Sequence, residues 1–379
     1  MFMKQFLLAP GPTPLPEEVR VEGARDITYH RSPAGKKMVV QCMEDLKYLL
    51  GTKNDVFLLG SSGSGAMECC MQNLVSPGDK VIVLNAGNFG NRWAKLAKAW
   101  GATLVEIKKD WGDVVQPAEL ETTLKANPET TVVFCQLSET STGVCSKTKE
   151  YAAIVNKTNA ILCVDVVSGA GVVPFEMDEW GIEACAGGSQ KGMMLPPGLG
   201  FVSFGPKAWA LVEKCTNRRF YFDMREYKKK IPDKETPWTP PITIICQSAR
   251  AFEMIKKAGG REKLWERYAM LAKGVRAGVA AIGLKLFAKE PGDAVTAVWV
   301  PEGIDGAALT KMMRDEYGVL VGGGQSDYKG KIFRFGHMGY MDIYDEIAAL
   351  VALEICLAKL GYKFEIGTSI AAFMKACQW

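Results

Sequence analysis

Short apolar runs alternate with segments of helical spacing from about Asp55 onward, and this alternation constrains the possible folds more than any other feature of the sequence. The runs are rich in β-branched residues and apolar along their whole length, which is typical of strands buried on both faces. The strand candidates are DVFLLG, KVIVLN, TLVEI, TVVFCQL and AILCVDVV. Strands and helices in this order predict an α/β fold with a mostly parallel, doubly wound sheet.

The pattern changes after about Phe204, and the change predicts a second, smaller domain. Two long helical segments come first, followed by a strand, a helix, a second strand and a C-terminal helix. We therefore expect an N-terminal arm near the candidate site at residues 1–20, a large domain at residues 21–257 and a small α/β domain at residues 258–379.

Charge and composition disfavour several classes of function. The 379 residues carry a net charge of +4, and no basic block stands out beyond the lysines at 228–230, so nucleic-acid binding has little electrostatic support. No apolar run is long enough to span a membrane, and the N-terminal residues do not form a convincing signal peptide. Eleven cysteines without a CxxC pair and two histidines give no zinc-site spacing, and we expect a reducing, cytoplasmic location.

Ligands of open α/β sheets bind at the carboxyl ends of the strands, and the first loop there is GSSGSGAME, at Gly60–Glu68. Its glycines, serine hydroxyls and helix N-terminus suit a phosphate, although an ordinary turn with serine caps has the same composition. The dinucleotide fingerprint GxGxxG is broken at Glu68 and Cys69, and the Walker lysine is missing. These departures argue against a nicotinamide dehydrogenase.

Three further loops carry residues whose roles, taken singly, stay open. Phe89, in NAGNFGNRW, either stacks on a flat ring or belongs to the core. Ser141, in QLSETSTGV, either donates a hydrogen bond to a ligand or forms a serine/threonine turn. Asp165 ends an apolar run, where a carboxylate is costly unless it meets a cation, although it could also cap a helix.

Lys191 lies in GGSQKGMMLPPGLG, among small, apolar and turn-forming residues. Desolvation there disfavours the ammonium form, as an imine-forming amine requires, and Gln190 beside it offers an amide. A phosphate loop, a stacking ring, a carboxylate and such a lysine together specify a flat ring that carries a phosphate, a basic nitrogen and an aldehyde. This description predicts pyridoxal phosphate as the cofactor.

The same motifs resemble those of a known family. In chain order they are LLAPGPTPLPEEV, HRSP, GSSGSGAME, NFGNRW, SETSTGV, VDVVSG, GSQKGMMLPPGLGFVS, TPWTPP and FRFGHMG, and they extend over nearly the whole chain. They resemble the class V (fold type I) aminotransferases, in the branch of the serine–glyoxylate and alanine–glyoxylate enzymes. The resemblance implies a large domain with a doubly wound sheet, a smaller C-terminal α/β domain and a homodimer with shared active sites.

The resemblance also implies roles for individual residues. Lys191 would form the Schiff base with the cofactor, and Asp165 would hold the pyridine nitrogen. Arg334 would grip the substrate carboxylate, which suits a bidentate guanidinium, and Gly11 would also contact the substrate. The other implied cofactor contacts are Ser62, Gly63, Ser64 and Gln190 at the phosphate, Phe89 against the ring, Ser141 near the phenolic oxygen, and Thr239 reaching across the dimer interface.

The implied activity is the transfer of an amino group from serine or alanine to glyoxylate or pyruvate, by a ping-pong mechanism through Lys191. Arg334 is the one convincing carboxylate clamp, which disfavours a dicarboxylic donor, although Arg31 could approach the site. Trp238 stands where family members often have tyrosine, so the identity of the substrate stays open.

Two alternatives within the same fold stay in view. A cysteine desulfurase usually has histidines where this chain has Phe89 and Gln190, and it needs a mobile cysteine on a loop. A non-catalytic scaffold subunit would be expected to lose Lys191, Asp165 or Arg334, and all three are present.

Overall fold

The structure, a computed structural model, describes residues 4–378 of the chain. The strands in that range are β1 Phe6–Leu8, β2 Val56–Gly60, β3 Lys80–Asn85, β4 Thr103–Lys108, β5 Val132–Gln136, β6 Ser138–Glu139, β7 Val144–Cys145, β8 Ile161–Asp165, β9 Ala184–Gly188, β10 Leu199–Phe204, β11 Val295–Trp299, β12 Val319–Gly323 and β13 Ile332–Gly336. The helices are α1 Glu17–Glu22, α2 Pro33–Leu50, α3 Gly63–Leu74, α4 Asn88–Ala99, α5 Pro117–Ala126, α6 Thr148–Val155, α7 Met177–Trp180, α8 Pro206–Lys214, α9 Met224–Lys230, α10 Ile242–Lys257, α11 Arg261–Ala281, α12 Gly306–Tyr317, α13 Ile343–Lys359 and α14 Thr368–Ala376, with a 3-10 turn at Ser326–Tyr328.

The larger sheet has seven strands in the order β2-β10-β9-β8-β5-β3-β4. Neighbouring strands pair in parallel except at β10, which runs antiparallel to both β9 and β2. Helices cover both faces of this sheet, with α3 and α4 on one face and α2, α6 and α10 on the other. The prediction of an α/β fold with a mostly parallel, doubly wound sheet is confirmed.

The strands of this sheet bury side chains on both faces. In β3, Val81 and Val83 belong to one hydrophobic cluster, whereas Ile82 and Leu84 belong to the cluster on the opposite face. Because successive side chains of a strand point to opposite faces, a strand between two helical layers has to be apolar throughout. Full burial of one such aliphatic side chain contributes about 1.5–3 kcal/mol, so the sheet is a rigid support for the loops at its edge.

The smaller sheet has four strands in the order β1-β12-β13-β11. Its edge strand β1 comes from the N-terminus and pairs in parallel with β12. The sequence analysis did not predict this strand, because three residues are too few to show a period. The pairing brings Pro10 and Gly11 beside Lys191. The domain boundary expected at residue 257 coincides with the end of α10 and stays a prediction.

The described residues contain neither a membrane-spanning segment nor a metal centre. No helix within residues 4–378 is long and apolar enough to cross a membrane. In the same range, no group of three or more His, Cys, Asp or Glu side chains is placed to hold a metal ion. The eleven cysteines are all free thiols.

Candidate active site

The loop between β2 and α3 forms a cradle for an anion. Ser62 is the N-cap of α3, and its Oγ accepts a hydrogen bond from the backbone N–H of Gly65 at 3.4 Å. The N–H groups of Gly63 and Ser64, in the first turn, have no acceptor among the described residues. Unfilled N–H groups at the positive end of a helix dipole attract a phosphate.

Phe89 lies in the first turn of α4, where the chain leaves β3. The backbone N–H groups of Phe89 and Gly90 each donate to the Glu139 carboxylate at 3.1 Å. Burial raises the pKa of Glu139, against the lowering effect of its hydrogen bonds from Ser141 and from these N–H groups. A carboxylate at a helix N-terminus complements the dipole of that helix, so Glu139 holds the turn that presents Phe89.

Asp165 is the last residue of β8 and is only 5% exposed. Its Oδ1 accepts a hydrogen bond from the backbone N–H of Val167 at 2.8 Å. Burial raises the pKa of Asp165 to about 7, against the lowering effect of that hydrogen bond. A carboxyl group in this state is stabilised as an anion when a protonated ring nitrogen meets it.

Lys191 follows β9 and is 8% exposed. Its Nζ donates a hydrogen bond to the carbonyl oxygen of Pro10. Burial and, next, the nearby Arg334 guanidinium lower the pKa of Lys191 to about 8, while Asp165 acts in the opposite direction. Gly11 has φ +114°, and a Cβ there would lie 2.5 Å from the lysine Nζ, so only glycine allows this approach. The result is a buried amine that loses its proton at mildly alkaline pH.

Gln190 provides a polar group that the protein itself leaves unsatisfied. Its Oε1 is buried and has no hydrogen-bond partner within residues 4–378. An unsatisfied buried polar atom costs about 1–3 kcal/mol. Because the oxygen and the NH₂ of a glutamine amide have nearly the same shape, the side chain can present its donors in that position instead. A ligand with acceptor oxygens would satisfy it.

Arg334 lies in β13 of the smaller sheet and is 6% exposed. Its Nε and Nη2 donate to the carbonyl of Gly323 at 3.0 and 2.7 Å, and its Nη1 donates to the carbonyl of Thr140 at 2.8 Å. Burial lowers the pKa of Arg334 to about 10, so the group stays cationic at neutral pH. A guanidinium has five N–H donors, which leaves one on each Nη for a bidentate carboxylate.

A cavity of about 280 Å³ joins most of these groups. Its lining residues are Gly11, Pro12, Ser62, Gly63, Ser64, Met67, Phe89, Arg92, Asp165, Val167, Ser168, Gln190, Lys191 and Pro197. Eight of them are residues that the sequence analysis singled out: Gly11, Ser62, Gly63, Ser64, Phe89, Asp165, Gln190 and Lys191. The volume is close to the lower limit for ligand pockets, which leaves room for a compact ligand.

Three residues singled out from the sequence lie outside this lining. Ser141 is fully buried, where its Oγ accepts from the N–H of Asn88 at 3.0 Å and donates to Glu139. Thr239 is exposed, in the loop between α9 and α10. Arg334 lies on the side of the smaller sheet, close enough to Lys191 to lower its pKa.

Trp238 and Arg31 are the two residues that leave the identity of the substrate undecided. Both also lie outside the cavity of a single chain. Trp238 is half-buried, and its ring centre lies 4.9 Å from that of the exposed Phe220 and 6.0 Å from that of the exposed Tyr221. Arg31 lies 3.8 Å from Glu235 in a separate surface groove.

Two charged residues of this region, Glu139 and Arg92, are not among those predicted from the sequence. Arg92 carried a usable signal, because residues three apart lie on the same face of a helix and Arg92 follows Phe89 at that spacing. Glu139 carried none, because the N–H group of Phe89 that it accepts from lies 50 positions away in the chain.

Comparisons with known proteins agree over almost the whole chain. It is 37% identical to the protein named soluble hydrogenase, small subunit, of Synechococcus sp. (strain PCC 6716), over 97% of both chains. It is 36% identical to the L-aspartate–glyoxylate aminotransferase of Paracoccus denitrificans, over 97% of this chain and 94% of that protein. It is 34% identical to the serine–glyoxylate aminotransferase of Methylorubrum extorquens, over 97% and 95%.

A solved structure matches the fold at the same extent. The crystal structure of pyridoxamine–pyruvate aminotransferase from Mesorhizobium loti superposes with a TM-score of 0.94, covers 100% of this chain and 98% of its own, and is 28% identical. The sheet order and the two-sheet arrangement described above are therefore those of a known aminotransferase fold.

The family model for class-V aminotransferases matches residues 17–334. The residues of the cavity fit the cofactor of that family: the cradle of Gly63 and Ser64 suits a phosphate, and Phe89 suits a flat ring. The unsatisfied amide of Gln190 and the buried amine of Lys191 suit acceptor oxygens and an aldehyde. The chain therefore belongs to the class-V aminotransferase family, whose enzymes work with pyridoxal phosphate.

Proposed function

We propose that this protein transfers an amino group from serine or alanine to glyoxylate or pyruvate. The observation that carries the proposal is Lys191, a buried amine that lines one cavity with Asp165 and whose pKa is lowered by burial and by the nearby Arg334 guanidinium. Such an arrangement supports proton transfer next to a substrate whose carboxylate is held in place.

Each group of the site has a defined task in this proposal. When bound, pyridoxal phosphate supplies an electron sink for the pair left on the substrate carbon when its proton is removed. The carboxylate of Asp165 would hold a proton on the ring nitrogen, and that positive charge would favour the carboxylate form. Gly63, Ser64 and Gln190 would bind the phosphate, and Phe89 would fix the plane of the ring.

Lys191 does the proton transfer at its Nζ. With the cofactor bound, the neutral amine of Lys191 would accept the proton that leaves the substrate carbon and would hold it at Nζ for return. Burial keeps water away from this step, since the lysine is 8% exposed. Gly11 and Pro10 border the amine and limit the directions in which it can move.

Arg334 supports a small substrate with one carboxylate. Its two remaining donors match one carboxylate. Within the described residues, the cations that line the cavity are Arg92 and Lys191 alone. A side-chain carboxylate would therefore lack a dedicated partner on this chain. One relative is named for aspartate and another for serine, so the donor has to be measured.

The test is a visible absorbance spectrum of the holoenzyme, recorded after separate additions of serine, alanine, aspartate and cysteine. We expect the cofactor band to bleach with serine or alanine and to return when glyoxylate or pyruvate is added. Bleaching by aspartate with no response to serine or alanine would contradict the small-donor proposal. Lys191→Ala serves as the control and should show no return of the band.

We also propose a homodimer with shared active sites, in the cytoplasm. The exposed rings of Phe220 and Tyr221, which lie against the half-buried Trp238, support a subunit contact, because covering apolar rings of this size removes them from water. Thr239 follows Trp238 directly and is exposed. A threonine in that position can donate its hydroxyl to the phosphate in the site of a second copy.

Two other functions are less well supported. A cysteine desulfurase needs a cysteine that reaches the cofactor, and none of the residues lining the cavity is a cysteine. A scaffold function is raised by the relative named as a hydrogenase subunit. A holoenzyme whose cofactor band no amino acid bleaches would favour the scaffold.

A further inference from the structure

The cavity offers little positive charge to balance the charge of a phosphate. Arg92 and Lys191 are the cationic residues in its described lining, and Asp165 is the acidic one. In the proposed function Lys191 would hold the aldehyde, so its charge would not be available to the phosphate. A phosphate ester carries about −1.5 to −2 charges at pH 7, whereas the cradle at Gly63 and Ser64 offers neutral donors and the partial charge of a helix end.

Arg92 lies where it can supply positive charge next to the phosphate cradle. It is in α4, and its Nη1 donates a hydrogen bond to the Oγ of Ser64 at 2.7 Å. Its guanidinium carbon lies 4.7 Å from the centre of the Phe89 ring, within the range of a cation–π contact. One side chain therefore contacts both the phosphate cradle and the aromatic ring that faces the cofactor.

The hydrogen bond to Ser64 fixes the direction of a proton. A hydroxyl has one donor and two acceptor sites. Because the Oγ of Ser64 accepts from Arg92, its own proton is free for another acceptor, and no such acceptor is recorded for it within residues 4–378. An oxygen of the phosphate is the acceptor that the cradle would bring there.

We propose that Arg92 is a positioning residue for the cofactor phosphate, which orients the Ser64 hydroxyl as a donor and supplies the positive charge that the cradle lacks. The inference rests on the proposed place of the phosphate at Gly63 and Ser64. A guanidinium suits this task better than an ammonium, because its planar shape hydrogen-bonds at one edge and covers the ring of Phe89 with its face.

The experiment compares pyridoxal phosphate with pyridoxal, which lacks the phosphate, in absorbance titrations of the cofactor-free full-length protein. The variants are Arg92→Ala, Arg92→Gln and Arg92→Lys. Arg92→Gln keeps an N–H donor for Ser64 but removes the charge, and Arg92→Lys keeps the charge but loses the planar group. Lys95→Ala, an exposed residue of the same helix, is the matched control for a lost positive charge.

We expect Arg92→Ala to weaken the binding of pyridoxal phosphate by about ten- to a hundredfold, as the loss of a charged hydrogen bond does, and to leave the binding of pyridoxal and the Tm of the cofactor-free protein unchanged. Arg92→Gln and Arg92→Lys should fall between Arg92→Ala and wild type. Release of the cofactor from the diluted holoenzyme should be faster in the same order.

Two outcomes would overturn the inference. Equal loss of affinity for both ligands would mean that Arg92 acts only on the ring, and unchanged affinity for both would mean that it only ties α3 to α4. Failure of the proposed function gives a different result. Wild type itself then either forms the cofactor band but reacts with no amino acid, or forms no band. If wild type is active and the Arg92 variants bind both ligands as tightly as wild type, the inference is wrong and the proposed function is unaffected.

Discussion

The buried position of Lys191 sets the pH at which its amine loses its proton. Its pKa falls from the ordinary 10.5 to about 8, first because burial penalises the ammonium and next because the Arg334 guanidinium lies nearby. The amine is therefore protonated below pH 8 and neutral above it. Since only a neutral amine attacks an aldehyde, the cofactor should enter more readily as the pH rises toward 8.

We predict that the rate at which pyridoxal phosphate forms its visible band with the cofactor-free protein rises about tenfold for each pH unit up to roughly pH 8 and then levels off. Stopped-flow absorbance between pH 6.5 and 10 measures it. In Arg334→Gln the plateau should begin at higher pH, because a like charge is gone. A wild-type rate that still rises at pH 10 would indicate an ordinary exposed lysine and contradict the account.

The geometry of Arg334 gives a prediction about substrate affinity. Arg334→Lys loses the bidentate edge and the bonds to Gly323 and Thr140, so we expect KM for the amino acid and for the oxo acid to rise by about ten- to a hundredfold. The change in kcat should be smaller, because the lost contact is made in both the ground and transition states. Steady-state kinetics at several substrate concentrations measures the split.

Cofactor binding provides the control for that variant. Arg334 does not line the cavity described above, so Arg334→Lys should bind pyridoxal phosphate as wild type does. A large fall in kcat with no change in KM would show that Arg334 acts on the reaction step rather than on the carboxylate.

A site residue can be predicted from the sequence when its neighbours in the chain reveal its chemistry. Lys191 and Asp165 stand out because each is a charged residue at the end of an apolar run, and the structure places both in one cavity. Glu139 and Pro10 act through partners far away in the chain, with Pro10 and Lys191 separated by 181 positions. Such pairings are set by the packing of the sheets, which one sequence does not reveal.

At the scale of elements, the long apolar and amphipathic segments were predicted and the short or irregular ones were not. β2, β3, β5 and β8 follow from continuous apolar runs. The antiparallel direction of β10 does not follow from its sequence, because strand direction depends on the connection and on both neighbours. β1 and its place in the smaller sheet depend on a pairing with β12, more than 300 residues away.

The start of α4 depends on one buried carboxylate, and this gives an element-scale prediction. Glu139→Ala leaves the N–H groups of Phe89 and Gly90 without their acceptor. We expect the free energy of unfolding to fall by about 1–3 kcal/mol and the affinity for pyridoxal phosphate to fall with it, because the turn that holds Phe89 loosens. Denaturant unfolding and an absorbance titration measure the two effects.

A surface glutamate separates this effect from a simple loss of charge. Glu121 forms an exposed ion pair with Lys125 on α5, and Glu121→Ala should leave both quantities unchanged. If Glu139→Ala were as stable as this control and bound the cofactor equally well, the proposed role of Glu139 would be wrong.

At the scale of the whole molecule, the site lies where the two sheets meet. Arg334 of the smaller sheet donates to the carbonyl of Thr140, and the Nδ2 of Asn88 donates to Gln325 at 3.0 Å. Both hydrogen bonds join the smaller sheet to the loops at the edge of the larger one. These hydrogen bonds fix Arg334 and the turn that carries Phe89 relative to each other.

The proposed shared active sites give a prediction for mixed dimers. Thr239→Glu places a negative charge where the phosphate of the other subunit would bind, so this variant and Lys191→Ala should each be inactive. Mixing the two should restore about a quarter of the wild-type activity, because half of the randomly formed dimers are hybrids and each hybrid has one intact site of two.

The control uses two substitutions that belong to the same chain's cavity. Asp165 and Lys191 line one cavity, so mixing Asp165→Asn with Lys191→Ala should restore no activity. Activity in this control mixture would contradict the shared-site proposal. So would a lack of activity in the mixture of Thr239→Glu with Lys191→Ala. Unfolding and refolding of the mixture ensures that subunits exchange.

Chemical trapping with borohydride identifies which lysine holds the cofactor. Borohydride makes the bond between a lysine amine and the cofactor aldehyde permanent, and mass spectrometry of the digested protein then locates the phosphopyridoxyl group. We predict that group on Lys191 in the segment GGSQKGMMLPPGLG and no labelled lysine in Lys191→Ala. A label on any other lysine, or equal labelling of the Lys191→Ala protein, would contradict the account.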